Sequence, residues 1–167
     1  MRKFQFQIGQ YYHIYNRGVE ARDIFTDDFD YLRFLRSMRE FNRLEAGGGL
    51  YMEHLRNKTT KRFGGFGGLT SSLEVKPLVE FIAYCLNPNH FHFLLRQAFD
   101  NGIKTFLHKL GTGYTNYFNL RHKRSGSLFQ GTYKAIHASE YGYLLKLLVY
   151  VNCNHEIHNL GKAEEWP

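Results

Sequence analysis

Asn87-Pro88-Asn89-His90-Phe91-His92-Phe93-Leu94-Leu95-Arg96 decides how this chain is read. The run has the aromatic and branched composition of a β-strand. Side chains alternate across a strand, so His90 and His92 share one face while Phe91 and Phe93 share the other. Asn87-Pro88-Asn89 is a turn signal, and the run before it, Val79-Glu80-Phe81-Ile82-Ala83-Tyr84-Cys85-Leu86, is a second strand of the same kind, so the two form a hairpin. Two imidazoles on one face can hold one divalent ion, while the apolar reverse face anchors the strand in a core. The plainer alternative is a pair of ordinary hydrogen-bonded strand histidines.

On the N-terminal side of the hairpin, Tyr11-Tyr12-His13-Ile14-Tyr15-Asn16-Arg17-Gly18 reads as a strand ending at a glycine turn. Thr26-Asp27-Asp28 then caps a helix of about four turns whose apolar spacing is Phe29, Leu32, Phe34, Leu35, Met38 and Phe41. Residues 46–72 change character: two glycine clusters flank the basic run Arg56-Asn57-Lys58-Thr59-Thr60-Lys61-Arg62, which reads as an inserted, positively charged loop within one domain spanning 1–167. On the C-terminal side, residues 103–121 carry Phe106, Leu107, Leu110, Tyr114 and Phe118 at helical spacing and lead into Arg121-His122-Lys123-Arg124. That basic cluster suits either a phosphate contact or a solvated helix end. Residues 127–137 read as a further strand, and Ser139 caps a last helix. The order of elements predicts an α+β fold, an antiparallel sheet with helices packed on it.

Composition narrows the partner. Of 167 residues, 43% are hydrophobic and 17% aromatic, which excludes disorder and leaves flat rings beyond the needs of a core this size. Lys plus Arg number 22 against 15 for Asp plus Glu, a formal charge of +7 that attracts a polyanion such as nucleic acid. No secretion signal and no membrane-length apolar run are evident, so a soluble, cytoplasmic protein with no membrane partner is expected. Cys85 and Cys153 are accordingly expected to be reduced, buried thiols.

The last helix offers the second half of a site. Residues four apart share a helix face, so Tyr150 is expected beside Asn154 and Lys146 on a polar stripe, with Leu144, Leu148 and Val151 toward the core. Laid across the histidine face, such a helix brings Asn154 as a third, amide-oxygen ligand and Tyr150 as a phenol near the same ion, Mg2+ or Mn2+. A phenol is normally protonated at neutral pH, but it attacks phosphorus once a metal neutralises the phosphate oxygens. The product is a phosphotyrosine ester, which a free 3′-hydroxyl can reverse to complete strand transfer. No Ser/His/Asp signature, Walker-type loop or cysteine zinc box competes. Tyr114 is the rival nucleophile, but its own helical stripe marks it as a packing or stacking residue.

Taken together, these motifs resemble the REP-associated tyrosine transposases within the single-tyrosine HUH transposase family. The resemblance is carried by Tyr12-His13-Ile14-Tyr15-Asn16-Arg17-Gly18, by Asn87-Pro88-Asn89-His90-Phe91-His92, by the run from Tyr114-Thr115 to Gly126, by Leu128-Phe129-Gln130-Gly131-Thr132-Tyr133-Lys134, and by Tyr150-Val151-Asn152-Cys153-Asn154. It implies a ferredoxin-like or RRM-like sheet, a metal held by His90, His92 and Asn154, and Tyr150 as nucleophile. It further implies cleavage of single-stranded DNA bearing hairpins of palindromic repeats, through a 5′-phosphotyrosine. His155 stands where the family commonly has proline, which bears on how the helix ends. Expected DNA contacts are Arg17, Arg121, Lys123, Arg124, Gln130 and Lys134, and the oligomeric state is open, a homodimer included. Two other readings stand beside this one: a non-catalytic single-stranded nucleic-acid-binding module with an RRM-like fold, and a metal-dependent hydrolase using water.

Overall fold

The computed structural model describes residues 5–44 and 76–159, so the Gly-rich basic insertion read at 46–72 lies outside the described residues. The described elements are β1 (Tyr11–Arg17), a 3-10 turn (Val19–Ala21), α1 (Asp28–Phe41), β2 (Val79–Asn87), β3 (His90–Gln97), α2 (Gly102–Arg121), β4 (Lys134–His137) and α3 (Tyr141–Asn159). The strands form one sheet in the order β2-β3-β1-β4 with every neighbouring pair antiparallel. This is the ferredoxin-like βαββαβ arrangement with a helix added at its C-terminal end, as the sequence leads one to expect.

Both faces of the sheet are covered, and unequally. Phe91, Phe93 and Leu95 of β3 join Tyr12, Ile14, Phe34, Ile103, Phe106, Leu110 and Tyr114 in a large aromatic core under α1 and α2. On the opposite face the buried apolar cluster among the described residues is smaller: Ala83, Leu94, Ala138, Leu147 and Val151, under α3. At roughly 1.5–3 kcal/mol per large buried apolar side chain, the first face carries most of the stability. The second does little more than seat α3, and it is there that the polar groups of His90 and His92 lie.

Helix α1 departs from its expected face. Asp30, Phe34, Ser37 and Met38 are buried, while Phe29 and Leu32 are 69% and 50% exposed. The cause is the carboxylate of Asp30, which is fully buried yet accepts from Thr26 Oγ1 at 2.7 Å, Thr26 N at 3.0 Å and Arg121 Nη1 at 2.5 Å. Asp27 caps the helix by accepting from Asp30 N and also pairs with Arg121 Nη2 at 2.6 Å. Arg121 therefore ties the end of α2 to the start of α1.

Burial pushes the Asp30 carboxyl up, but the hydrogen bonds from Thr26 and Arg121 outweigh it and leave it below the ordinary carboxylate range. Asp27 is held down to about 2, chiefly by its hydrogen bond from Arg121. Carboxyls depressed on folding stabilise the fold above their unfolded value, near 4, and lose that contribution as pH falls through the folded value. Urea unfolding should therefore show stability falling between about pH 4 and pH 2. In Arg121→Met the fold should be weaker at pH 7, because the buried Asp30 carboxylate is left without its cation, and this acid limb should be shallower. An unchanged midpoint at pH 7 would remove the ion pair from the account of the fold.

The strand expected over 127–137 is shorter. Only Lys134–His137 pairs as a strand, and the preceding residues form a loop clamped to the end of β1. Gln130 N donates to Arg17 O at 2.8 Å, Val19 N donates to Leu128 O at 3.0 Å, and Phe129 bridges Gly18. Leu128 and Phe129 anchor this loop in the core. Gly131, at φ +67, takes the backbone into the left-handed region, which a continuous strand cannot accommodate. Cys85 and Cys153 are free thiols as expected, but only Cys85 is partly buried; Cys153 lies on the outer side of α3 and is exposed. Among the described residues no helix is long and apolar enough to cross a membrane.

Candidate active site

His90 opens β3 and His92 follows two residues later, so both side chains leave the sheet on the α3 face, as alternation requires. On the neighbouring strand the same rule brings up His13, Tyr15 and Arg17, since Tyr15 pairs with His92 and Arg17 with His90 in the β1–β3 register. Gly18 ends β1 beside the 3-10 turn, where a Cβ would sit 2.1 Å from Arg22 O, so only glycine allows this close return. The turn leaves Arg17 at the mouth of the site.

His90 is oriented through both ring nitrogens. Its Nδ1 lies 2.6 Å from Asn89 Oδ1, an acceptor, so Nδ1 carries the proton and Nε2 presents its lone pair. That lone pair faces Asn87 Nδ2 at 3.0 Å and Asn154 Oδ1 at 3.4 Å. His92 is buried and is held between two rings, stacked on His13 at 5.1 Å and on Tyr15 at 5.6 Å. Its Nδ1 is 2.9 Å from His13 Nε2. Burial lowers the His13 pKa to about 4, so His13 is a neutral imidazole near neutral pH. When His92 Nδ1–H donates, His92 keeps the lone pair on Nε2.

From the other side comes α3. It was expected to turn Tyr150, Asn154 and Lys146 to one polar stripe, but its buried line is Leu147, Val151 and Asn154, while Lys146 is exposed. Asn154 thus sits at the end of the apolar stripe, fully buried, and Tyr150 lies beside that stripe, half-buried. The Tyr150 ring meets His92 edge-on at 5.5 Å and His13 at 5.8 Å. Burial raises the Tyr150 pKa, with the neighbouring Asn154 amide acting against it. The phenol is therefore protonated at neutral pH. His155 does not end the helix, which continues through Asn159.

Do these residues suit a divalent ion? Among the described residues there is no cluster of three His, Cys, Asp or Glu, so any ion would rest on two imidazoles and an amide oxygen. Two ligands about 2.1 Å from one ion lie about 3.0–3.4 Å apart, depending on the coordination angle. The 3.4 Å between His90 Nε2 and Asn154 Oδ1 matches that, and Asn154 Nδ2 is buried with no hydrogen-bond partner. A structural amide would bond through both ends; here the fold satisfies only the oxygen. The donor set fits a hard cation held weakly.

A cleft of about 590 Å³ opens over these groups, lined by Tyr15, Asn16, Arg17, Ala21, Asn89, His90, His92, Gln130, Lys134 and Tyr150. No carboxylate lines it, and two cations do. Arg17 Nε donates to Gln130 Oε1, and Lys134 Nζ lies 5.9 Å from the centre of the Tyr15 ring. The remaining expected DNA contacts lie elsewhere. Arg121 is engaged by Asp27 and Asp30; Arg124 donates to Asn119 Oδ1 at 2.6 Å and to Ser127 O at 3.0 Å; Lys123 is exposed at a turn. Tyr114, the rival nucleophile, is fully buried and donates to Ile24 O at 2.6 Å, and burial pushes its pKa far up.

The hairpin reading did not single out His13, Tyr15, Asn87 or Asn89. The signal for His13 and Tyr15 was available, because the same alternation applied to β1 puts Tyr11, His13, Tyr15 and Arg17 on one face. Asn87 and Asn89 looked like turn residues, which they also are.

No family model matches the chain, and no curated protein matches it. Among solved structures, it is similar to a REP-associated tyrosine transposase bound to a REP hairpin, with a TM-score of 0.58 and 11% identity over 100% of this chain and 79% of that one. It is also similar to a Deinococcus radiodurans R1 protein provisionally assigned as a transposase, with a TM-score of 0.47 and 13% identity over 97% of this chain and 98% of the other. The chain has the fold of a REP-associated tyrosine transposase.

Proposed function

We propose that the chain is a metal-dependent endonuclease and strand transferase, a transposase acting on single-stranded, hairpin-bearing DNA through a 5′-phosphotyrosine intermediate. The observation that carries this reading is the convergence of His90, His92 and Tyr150 in one carboxylate-free, basic cleft, with the buried Asn154 Oδ1 3.4 Å from His90 Nε2. A REP hairpin is the ligand of the solved transposase whose fold the chain shares, which supports hairpin DNA as the substrate class.

His90, His92 and Asn154 would hold Mg2+ or Mn2+, which when bound neutralises the non-bridging oxygens of the scissile phosphate. Arg17 and Lys134 supply the rest of the positive field and, with Gln130, hold the strand at the cleft mouth. Tyr150 enters protonated. Its oxygen forms a bond to phosphorus as the phenolic proton passes to water, and the bond from phosphorus to the 3′-oxygen of the upstream strand breaks, that oxygen taking a proton from water to become a 3′-hydroxyl. A 3′-hydroxyl from another end can then attack the same phosphorus and release Tyr150, so the energy of the ester is kept. His13 and Asn89 keep the two imidazoles in orientation.

The deciding experiment incubates the protein with Mn2+ and a labelled single-stranded hairpin oligonucleotide and looks for an adduct that survives denaturation. An adduct supports covalent catalysis; nicked DNA without adduct means hydrolysis by water, and retarded but intact DNA means a binding module. The cleft cations should also be visible in salt dependence. Each phosphate contact contributes about 0.7 to the log-log slope for single strands, so Arg17→Ala with Lys134→Ala should flatten it by about 1.4. An unchanged slope would place the DNA away from this cleft.

A further inference from the structure

Asn87 is the last residue of β2, and its side chain is buried beneath α3. Its Nδ2 donates to Asn154 Oδ1 at 2.7 Å and lies 3.0 Å from His90 Nε2. Those two acceptors are the atoms assigned above to the cation. The NH2 group of Asn87 therefore points its positive hydrogens at both, and His90 Nε2, with a single lone pair, cannot serve this amide and an ion together.

The conflict has one local resolution. Turning the Asn87 amide over brings its oxygen to the place of its nitrogen, 2.7 Å from Asn154 Oδ1. Without a cation, two carbonyl oxygens at that distance repel each other, and the present orientation wins. With a cation, the same turn converts a competitor into a ligand, the two oxygens drawing apart to the roughly 3.0 Å that a shared ion requires. Turning Asn154 over instead would carry its oxygen, the only part of its amide that the fold satisfies, away from His90. Its nitrogen is already without a partner.

We propose that Asn87 is an additional ligand of the metal site: its NH2 group ties His90 to Asn154 when no ion is bound, and its Oδ1 joins them around the ion when one is. This rests on the metal reading made under the proposed function. The resulting donors are two imidazole nitrogens and two amide oxygens, all uncharged. Such a set leaves the cation its full charge to place on a phosphate and binds it weakly alone.

The test is Mn2+ affinity of the full chain, read from the loss of the free-ion electron paramagnetic resonance signal, with no DNA present. Asn87→Leu keeps the volume and removes the oxygen, and should weaken binding at least tenfold. Asn87→Asp places a charged oxygen in the same position and should tighten it at least tenfold, so the outcome does not depend on the leucine variant folding. Unchanged or tighter binding in Asn87→Leu, or no gain in Asn87→Asp, would overturn the assignment. His90→Ala separates the two levels of argument. If it binds Mn2+ like the wild type, the metal reading fails; if it loses binding while both Asn87 variants behave like the wild type, Asn87 alone is excluded.

Discussion

Tyr150→Phe should abolish the covalent adduct with hairpin DNA while leaving the fold and DNA binding in place. The change removes one oxygen and keeps the ring, so the edge-on contacts with His92 and His13 survive. The structural cost should therefore be small. The chemical effect is much larger, because no neighbouring group can replace the attacking oxygen, and losing a nucleophile costs about 10⁴-fold or more. Tyr114→Phe is the control. It loses a buried hydrogen bond to Ile24 O and some stability but should still form the adduct. Peptide mapping of the trapped complex decides the matter directly: DNA attached to any residue but Tyr150 would sink the assignment.

His90→Ala and His92→Ala should each lower adduct formation by about 10³-fold, the rate equivalent of several kcal/mol of charge stabilisation at the scissile phosphate. DNA affinity should fall far less, since Arg17 and Lys134 remain at the cleft mouth. The two substitutions differ in structural cost. His90 is partly exposed, whereas His92 is buried and is the partner of His13 Nε2, so His92→Ala also opens a cavity and leaves an imidazole unpaired. Thermal melts must accompany the assay, and His90→Ala is the cleaner test. Cleavage undiminished in a folded His90→Ala protein would end the metal hypothesis.

Local pattern carried the prediction where one periodicity dominates. The His-x-His hairpin follows from alternation, and α2 from the spacing of Phe106, Leu110, Tyr114 and Phe118, all four of which are buried. It failed where a polar group outweighs an apolar one. Asp30 rather than Phe29 turned inward, where Thr26 and Arg121 satisfy its carboxylate, and Phe29 is left 69% exposed. It failed again on α3, whose apolar residues run nearly all round the helix, so that periodicity cannot say which side is down. Gly131 shortened β4 for a reason a strand pattern does not contain, a positive φ.

Period two and period 3.6 establish which side chains share a face, and so His90 with His92, and Tyr150 with Asn154, could be paired from their numbers alone. Distances between elements are another matter. His13 reaches His92 across 79 residues, and Asn87 reaches Asn154 across 67, because β1 pairs with β3 and α3 lies over the opposite face of the sheet from α1 and α2. Those meetings depend on loop closure and packing summed over the whole chain, not on any local spacing. The same packing withdrew Arg121 into an ion pair and Tyr114 into the core, leaving Arg17 and Lys134 as the cations beside Tyr150.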